Sequence, residues 1–154
     1  MARNRQRLLI EQLDEKLGPF HQAKAVMVPE KGWIHAIRTT LNMTMAQLGN
    51  KLNITRQGVK KMEDSEANGT LTLNSLKEVA QALDMKLVYA IVPKQGSIDQ
   101  LITEKAEKLA QKIVLRTNQN MQLENQGIGN EKLNKTIKDL ADELKRDMSK
   151  SLWD

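Results

Sequence analysis

A mainly α-helical fold with one short β-strand is what this chain of 154 residues predicts. Three observations carry it. Apolar residues recur at spacings of three and four through 5–17, 33–83 and most of 98–148. Short polar turns rich in Gly, Pro, Asn and Thr separate these runs. One stretch, MKLVYAIV at 85–92, is instead rich in β-branched and aromatic residues and stops at Pro93, which predicts a strand.

The first amphipathic helix is expected over 5–17, with Leu9, Leu13 and Leu17 at spacing four, ending at Gly18-Pro19. A partly apolar connector with two prolines leads to Gly32. Four helices should follow. Ile34, Ile37 and Leu41 line the first; Leu48 and Leu52 the second; Val59 and Met62 the third; Leu73, Leu76, Val79, Ala80 and Leu83 the fourth. After the strand, Ser97 is placed to cap a long helix bearing Ile98, Leu101, Ile102, Leu109 and Ile113. NQGIGN at 125–130 breaks it, and a last helix carries a seam of Leu133, Ile137, Leu140, Leu144 and Met148 for another helix, from this chain or a partner. The pattern divides the chain into an N-terminal helix and connector (1–31), a central helical domain with its strand (32–93) and a C-terminal helical extension for partner binding (94–154).

Composition narrows the chemistry. The 24 Lys and Arg exceed the 19 Asp and Glu by five, which permits a polyanionic partner without requiring one. With no cysteine there is no disulfide, thiolate metal site or cysteine nucleophile. The longest apolar run, LVYAIV, is too short to span a bilayer, and the basic N-terminus lacks the apolar core of a signal peptide, so a cytoplasmic protein without membrane contact is expected. His21 and His35 have no metal-spaced partner, and His35 reads as a packed or surface side chain. No phosphate loop or nucleophile elbow occurs, and Asp139, Asp142 and Glu143 interleave with lysines as surface charge. The expectation is a binding protein without cofactor or metal, not an enzyme.

TMAQLGNKLNITRQGVKKME, 44–63, meets the physical criteria of a helix-turn-helix. Thr44 can cap one helix and Thr55 the next through their hydroxyls. Gly49 costs about 1 kcal/mol mid-helix against alanine, which makes sense where another backbone crosses closely. Asn53 suits a left-handed turn. The second of these helices carries Arg56, Gln57, Lys60 and Lys61 with no acidic residue among them, opposite Val59 and Met62. A solvated helix usually mixes its signs, because like charges repel and Glu–Lys pairs help. A one-sign face calls for an anionic partner, and double-stranded DNA fits. Arg56 and Gln57 are assigned to base edges and Lys60 to a base or phosphate, while Lys61 and the cap Thr44 take the DNA backbone. A two-fold homodimer on a palindromic site is expected, through either the edge of strand 86–92 or the 133–148 seam. Arg3, Arg5 and Arg7 form either a DNA-following arm or a solvated terminus.

The same positions resemble the helix-turn-helix of the lambda-repressor-like (XRE) family. That family has a small residue midway through its second helix, Gly or Asn at the turn and a β-branched residue in the third. Met45 departs from it, standing where a backbone-contacting glutamine is frequent; Gln47 is a candidate substitute. Nearly the whole chain resembles a narrower group, the mobile mystery protein A family. The resemblance rests on GWIHAIRTTLNMTMAQLG (32–49), the recognition segment, ALDMKLVYAIVP (82–93) and RTNQNMQLENQ (116–126).

This resemblance implies a repressor of its own promoter that is also the antitoxin of a Fic-domain toxin. Antitoxins of Fic proteins share an inhibitory helix bearing Ser or Thr, three variable residues, Glu, then Gly or Asn. Its glutamate pairs with an active-site arginine of the toxin and so blocks AMP transfer. Glu124 and Asn125 match the last two positions, and Asn120 replaces the hydroxyl residue. A stand-alone repressor of a mobile element is the alternative, and an interaction module without DNA binding is a third.

Overall fold

The computed structural model describes residues 2–123 and 129–154, with side chains for 2–119 and 129–154 among them. The protein is mainly α-helical. Its helices are α1 (Ala2–Leu17), α2 (Trp33–Thr40), α3 (Met45–Leu52), α4 (Arg56–Asn68), α5 (Leu73–Ala82), α6 (Ile98–Leu123) and α7 (Asn130–Asp147), with short 3-10 turns after α1 and at Lys150–Trp153. The chain forms two compact units, one of 22–90 and the other of 1–21 with 91–154.

In the 22–90 unit, four short helices surround a core of Ile34, Leu48, Val59, Val79 and Leu83. Ile37, Leu52, Ile54, Met62 and Leu76 close around it. These are most of the apolar stripes expected from spacing, now facing one another, though Leu41 and Leu73 are left about half exposed. Burying each such side chain contributes about 1.5–3 kcal/mol. Helix α2 starts without a side-chain cap of its own. Glu66 of α4 reaches it instead, accepting from the amides of Trp33 at 2.7 Å and Ile34 at 2.8 Å. A carboxylate at a helix N-terminus satisfies orphan donors and complements the helix dipole. Gly32 beside it has φ +88°, and a Cβ there would lie 2.8 Å from the Glu66 carboxylate.

In the other unit, α6 packs lengthwise on α7 and α1 packs on α6. Ala106 and Ala110 are buried against Ala141 and Leu152, so small side chains set a close helix approach. The seam on α7 is filled within the chain: Ile137, Leu140, Leu144 and Met148 all pack into this core. Ser97 caps α6 by a reciprocal pair with Gln100, both bonds at 3.1 Å. Asp14 of α1 adds a second cap, accepting from the amides of Ile98 and Asp99 at 2.7 and 3.2 Å.

Further expectations change, among them Ile113, which is exposed where Ala106, Ala110 and Val114 are buried on α6. Helix α1 does not bury Leu9 and Leu13, which are about half exposed. It packs through Ile10 and Leu17, with Asp14 on the same side. Leu17 is buried as its spacing predicts, and the cap from Asp14 holds the side of α1 that carries Ile10 toward α6. The strand at 85–92 is not formed, and no strand occurs among the described residues. Its propensity is real, but a strand exists only by pairing, and no other described segment supplies a ladder.

Candidate nucleic-acid interface

The helix pair α3–α4 is built by local chemistry. Thr44 Oγ1 accepts from the amide of Gln47 at 3.1 Å, and Gln47 Oε1 accepts from the amide of Thr44 at 2.9 Å. This reciprocal cap satisfies two donors at once. It takes up the Gln47 side-chain oxygen, while the side chain stays exposed with its amide NH2 as a remaining donor.

The turn follows from three residues. Asn53 takes the left-handed conformation (φ 57°, ψ 38°), and the amide of Ile54 returns to the carbonyl of Gly49 at 2.9 Å. At Gly49 an added Cβ would lie 2.7 Å from the carbonyl oxygen of Ile54. The glycine is therefore required by a backbone crossing. Thr55 then caps α4, its hydroxyl accepting from the amide of Gly58 at 3.0 Å.

Arg56, Gln57, Lys60 and Lys61 all lie on the exposed side of α4, while Val59 is fully buried. At 100° per residue the four span an arc of about 140°. Lys60 makes a long, solvated pair with Asp64 at 3.9 Å. Arg56 and Lys61 have no carboxylate within ion-pair distance among the described residues. The two remaining acids of α4 are used inward: Glu63 is buried against Arg38, and Glu66 caps α2. Turning its own carboxylates to the core leaves α4 with an outer surface of one dominant sign. Thr44 and Thr55, both exposed, stand at the starts of α3 and α4.

The buried pair Arg38–Glu63 was missed by the sequence reading. Its signal was present: Arg38 follows Ile34 by four and Glu63 follows Val59 by four, so each charge sits on an apolar stripe. His35 is half-buried beside it, Nδ1 3.5 Å from Glu63 Oε2.

The other expected sites fall elsewhere. Arg3 pairs with Asp147 of α7 at 2.9 Å and Arg7 with Glu11 at 3.3 Å, so the N-terminal arginines lie along a docked helix. Asn120 is in α6, but its side chain, Glu124 and Asn125 lie outside the described residues. No helix among the described residues is long and apolar enough to cross a membrane. Among those residues no group of three His, Cys, Asp or Glu is placed to hold a metal. Comparison with protein-family models, curated proteins and solved structures gives no match for this chain.

Proposed function

We propose that this chain is a cytoplasmic DNA-binding repressor with a lambda-repressor-like helix-turn-helix, acting also as the antitoxin of a Fic-domain AMP-transferase. The observation that carries the DNA half is the outer face of α4, where Arg56, Gln57, Lys60 and Lys61 are exposed while Glu63 and Glu66 turn inward. In this reading α4 enters the major groove. Arg56 pairs with guanine and Gln57 with adenine, the donor patterns their side chains match. Lys60 takes a base or a phosphate, and Lys61 a phosphate. The Thr44 and Thr55 hydroxyls accept the cap bonds, and each keeps its O–H to donate to a phosphate oxygen. One such helix makes few base contacts, so two copies on a palindromic operator provide the affinity.

Binding to DNA from upstream of the chain's own coding sequence, followed by fluorescence anisotropy, tests this. Alanine at Arg56 or Gln57 should each cost about 1–3 kcal/mol and relax specificity at one position. Unchanged affinity of the double variant would refute the assignment. The antitoxin half is supported by the resemblance of nearly the whole chain together with the match at Asn120, Glu124 and Asn125. It is tested by Glu124→Gly, which should leave the pair co-purifying yet release AMP transfer, since a carboxylate facing a guanidinium is what blocks the nucleotide. A variant complex as inactive as the wild type would remove Glu124 from that role.

A further inference from the structure

Helix α6 carries a second cationic face, far along the chain from α4. Lys105, Lys108, Lys112 and Arg116 follow one another at spacings of three, four and four, and all are exposed. At 100° per residue they fall within an arc of about 80°. Glu104 and Glu107, the acids of this stretch, lie outside that arc. Opposite it, Ala106, Ala110 and Val114 are buried.

The stripe is not neutralised within the chain. Among the described residues none of the four cations has a carboxylate within ion-pair distance. Glu104 precedes Lys108 by four, the spacing that favours a pair, yet the two are not joined. Lys108 with Lys112, and Lys112 with Arg116, are like charges at that same spacing, which destabilises a helix. Helix α7 shows the ordinary solvated pattern, where Lys132, Lys135 and Lys138 mix with Glu131, Asp139 and Asp142.

We propose that this stripe of α6 binds the phosphate backbone of duplex DNA without reading its sequence, in addition to the contact made by α4. It deepens the DNA half of the reading above and rests on DNA being the ligand, not on any role of α4. Two features select phosphate over an acidic protein surface. Protein interfaces are depleted of Lys and are built around an apolar centre. The exposed large apolar residues of α6, Ile113 and Leu115, lie about 160° apart at opposite edges of the stripe and form no such centre. Length is the second feature. From 105 to 116 the helix rises about 16 Å, and a duplex strand carries one phosphate per roughly 3.4 Å of axis. Each of the four side chains can therefore take a different phosphate, as a point charge that is indifferent to the base.

The test follows the full-length chain on a duplex of scrambled sequence, by fluorescence anisotropy over a salt series. Lys108→Gln, Lys112→Gln and Arg116→Gln together should weaken binding and reduce the slope of log K against log salt by roughly two to three. Lys132→Gln, Lys135→Gln and Lys138→Gln together remove the same charge from α7 and should change the slope far less. Lys108→Arg with Lys112→Arg should keep the wild-type slope. Circular dichroism should be unchanged throughout, because every replaced side chain is exposed. An unchanged slope in the α6 variant, or an equal fall in the α7 variant, would overturn the proposal and leave DNA binding by α4 standing. An α6 variant that keeps its DNA affinity but no longer co-purifies with the toxin would also overturn it, making the stripe a protein-docking face. A wild type that binds no duplex would remove the DNA reading itself.

Discussion

Arg38 and Glu63 meet inside the 22–90 unit, 7% and 5% exposed, with two guanidinium nitrogens facing the two carboxylate oxygens. Arg38 Nη1 also donates to the carbonyl of Met43 at 2.9 Å, so one side chain ties α2 to α4 and to the loop before α3. Removing one partner leaves a buried charge without compensation. Glu63→Leu or Arg38→Met should each cost about 3–5 kcal/mol, whereas the double replacement should recover most of the loss. Urea unfolding of the three variants measures this. Additive losses in the double variant would mean that the pair is not coupled.

Gly49→Ala sets two effects against each other. Alanine gains about 1 kcal/mol in helix propensity. Its methyl would press on the Ile54 carbonyl oxygen at 2.7 Å, and overpacking of this kind costs typically 1–3 kcal/mol. Backbone cannot give way as a side chain can, so the clash should win and the melting temperature fall. A rise in melting temperature would show that the α3–α4 crossing has slack.

Ala110 is fully buried where α6 meets α7 and the C-terminal turn. Ala110→Leu should force these elements apart and lower stability by about 1–3 kcal/mol. Ile113→Ala, on a residue 42% exposed, should change it far less. Thermal melts compare the two directly, and the reverse order would contradict the packing described for α6.

Lys60 and Lys61 differ although they are adjacent. Lys60 has Asp64 within 3.9 Å, and Lys61 has no such neighbour among the described residues. If α4 binds DNA, Lys61→Ala should flatten the dependence of log K on log salt by roughly one counterion. Lys60→Ala should flatten it less, because part of its charge is already answered. A larger change for Lys60 would count against this arrangement of the face.

The α3–α4 pair was legible in the sequence almost residue by residue. Thr44, Gly49, Asn53 and Thr55 act within a few positions of themselves, through caps and a left-handed turn. Ser97 at the start of α6 was legible for the same reason. Interactions of this range are written in contiguous residues. The one-sign surface of α4 was also visible as a pattern, though not that Glu63 and Glu66 turn away from it to serve α2.

What the sequence by itself determined, then, is where helices begin, cap and turn, and which residues form their apolar stripes. Tertiary structure decided which stripe is used. Of the expected Leu9, Leu13 and Leu17 only Leu17 is buried, and Ile10, off that spacing, packs into the α6–α7 core in place of the other two. The seam on α7 fitted an internal or an external helix equally, and α6 took it. Residues 86–92 have strand propensity without a strand, because a ladder needs a second backbone. Periodicity specifies a face but carries no information about distant partners. Those are selected by packing and by the buried polar groups, such as Arg38 with Glu63, that must find one another as the chain closes.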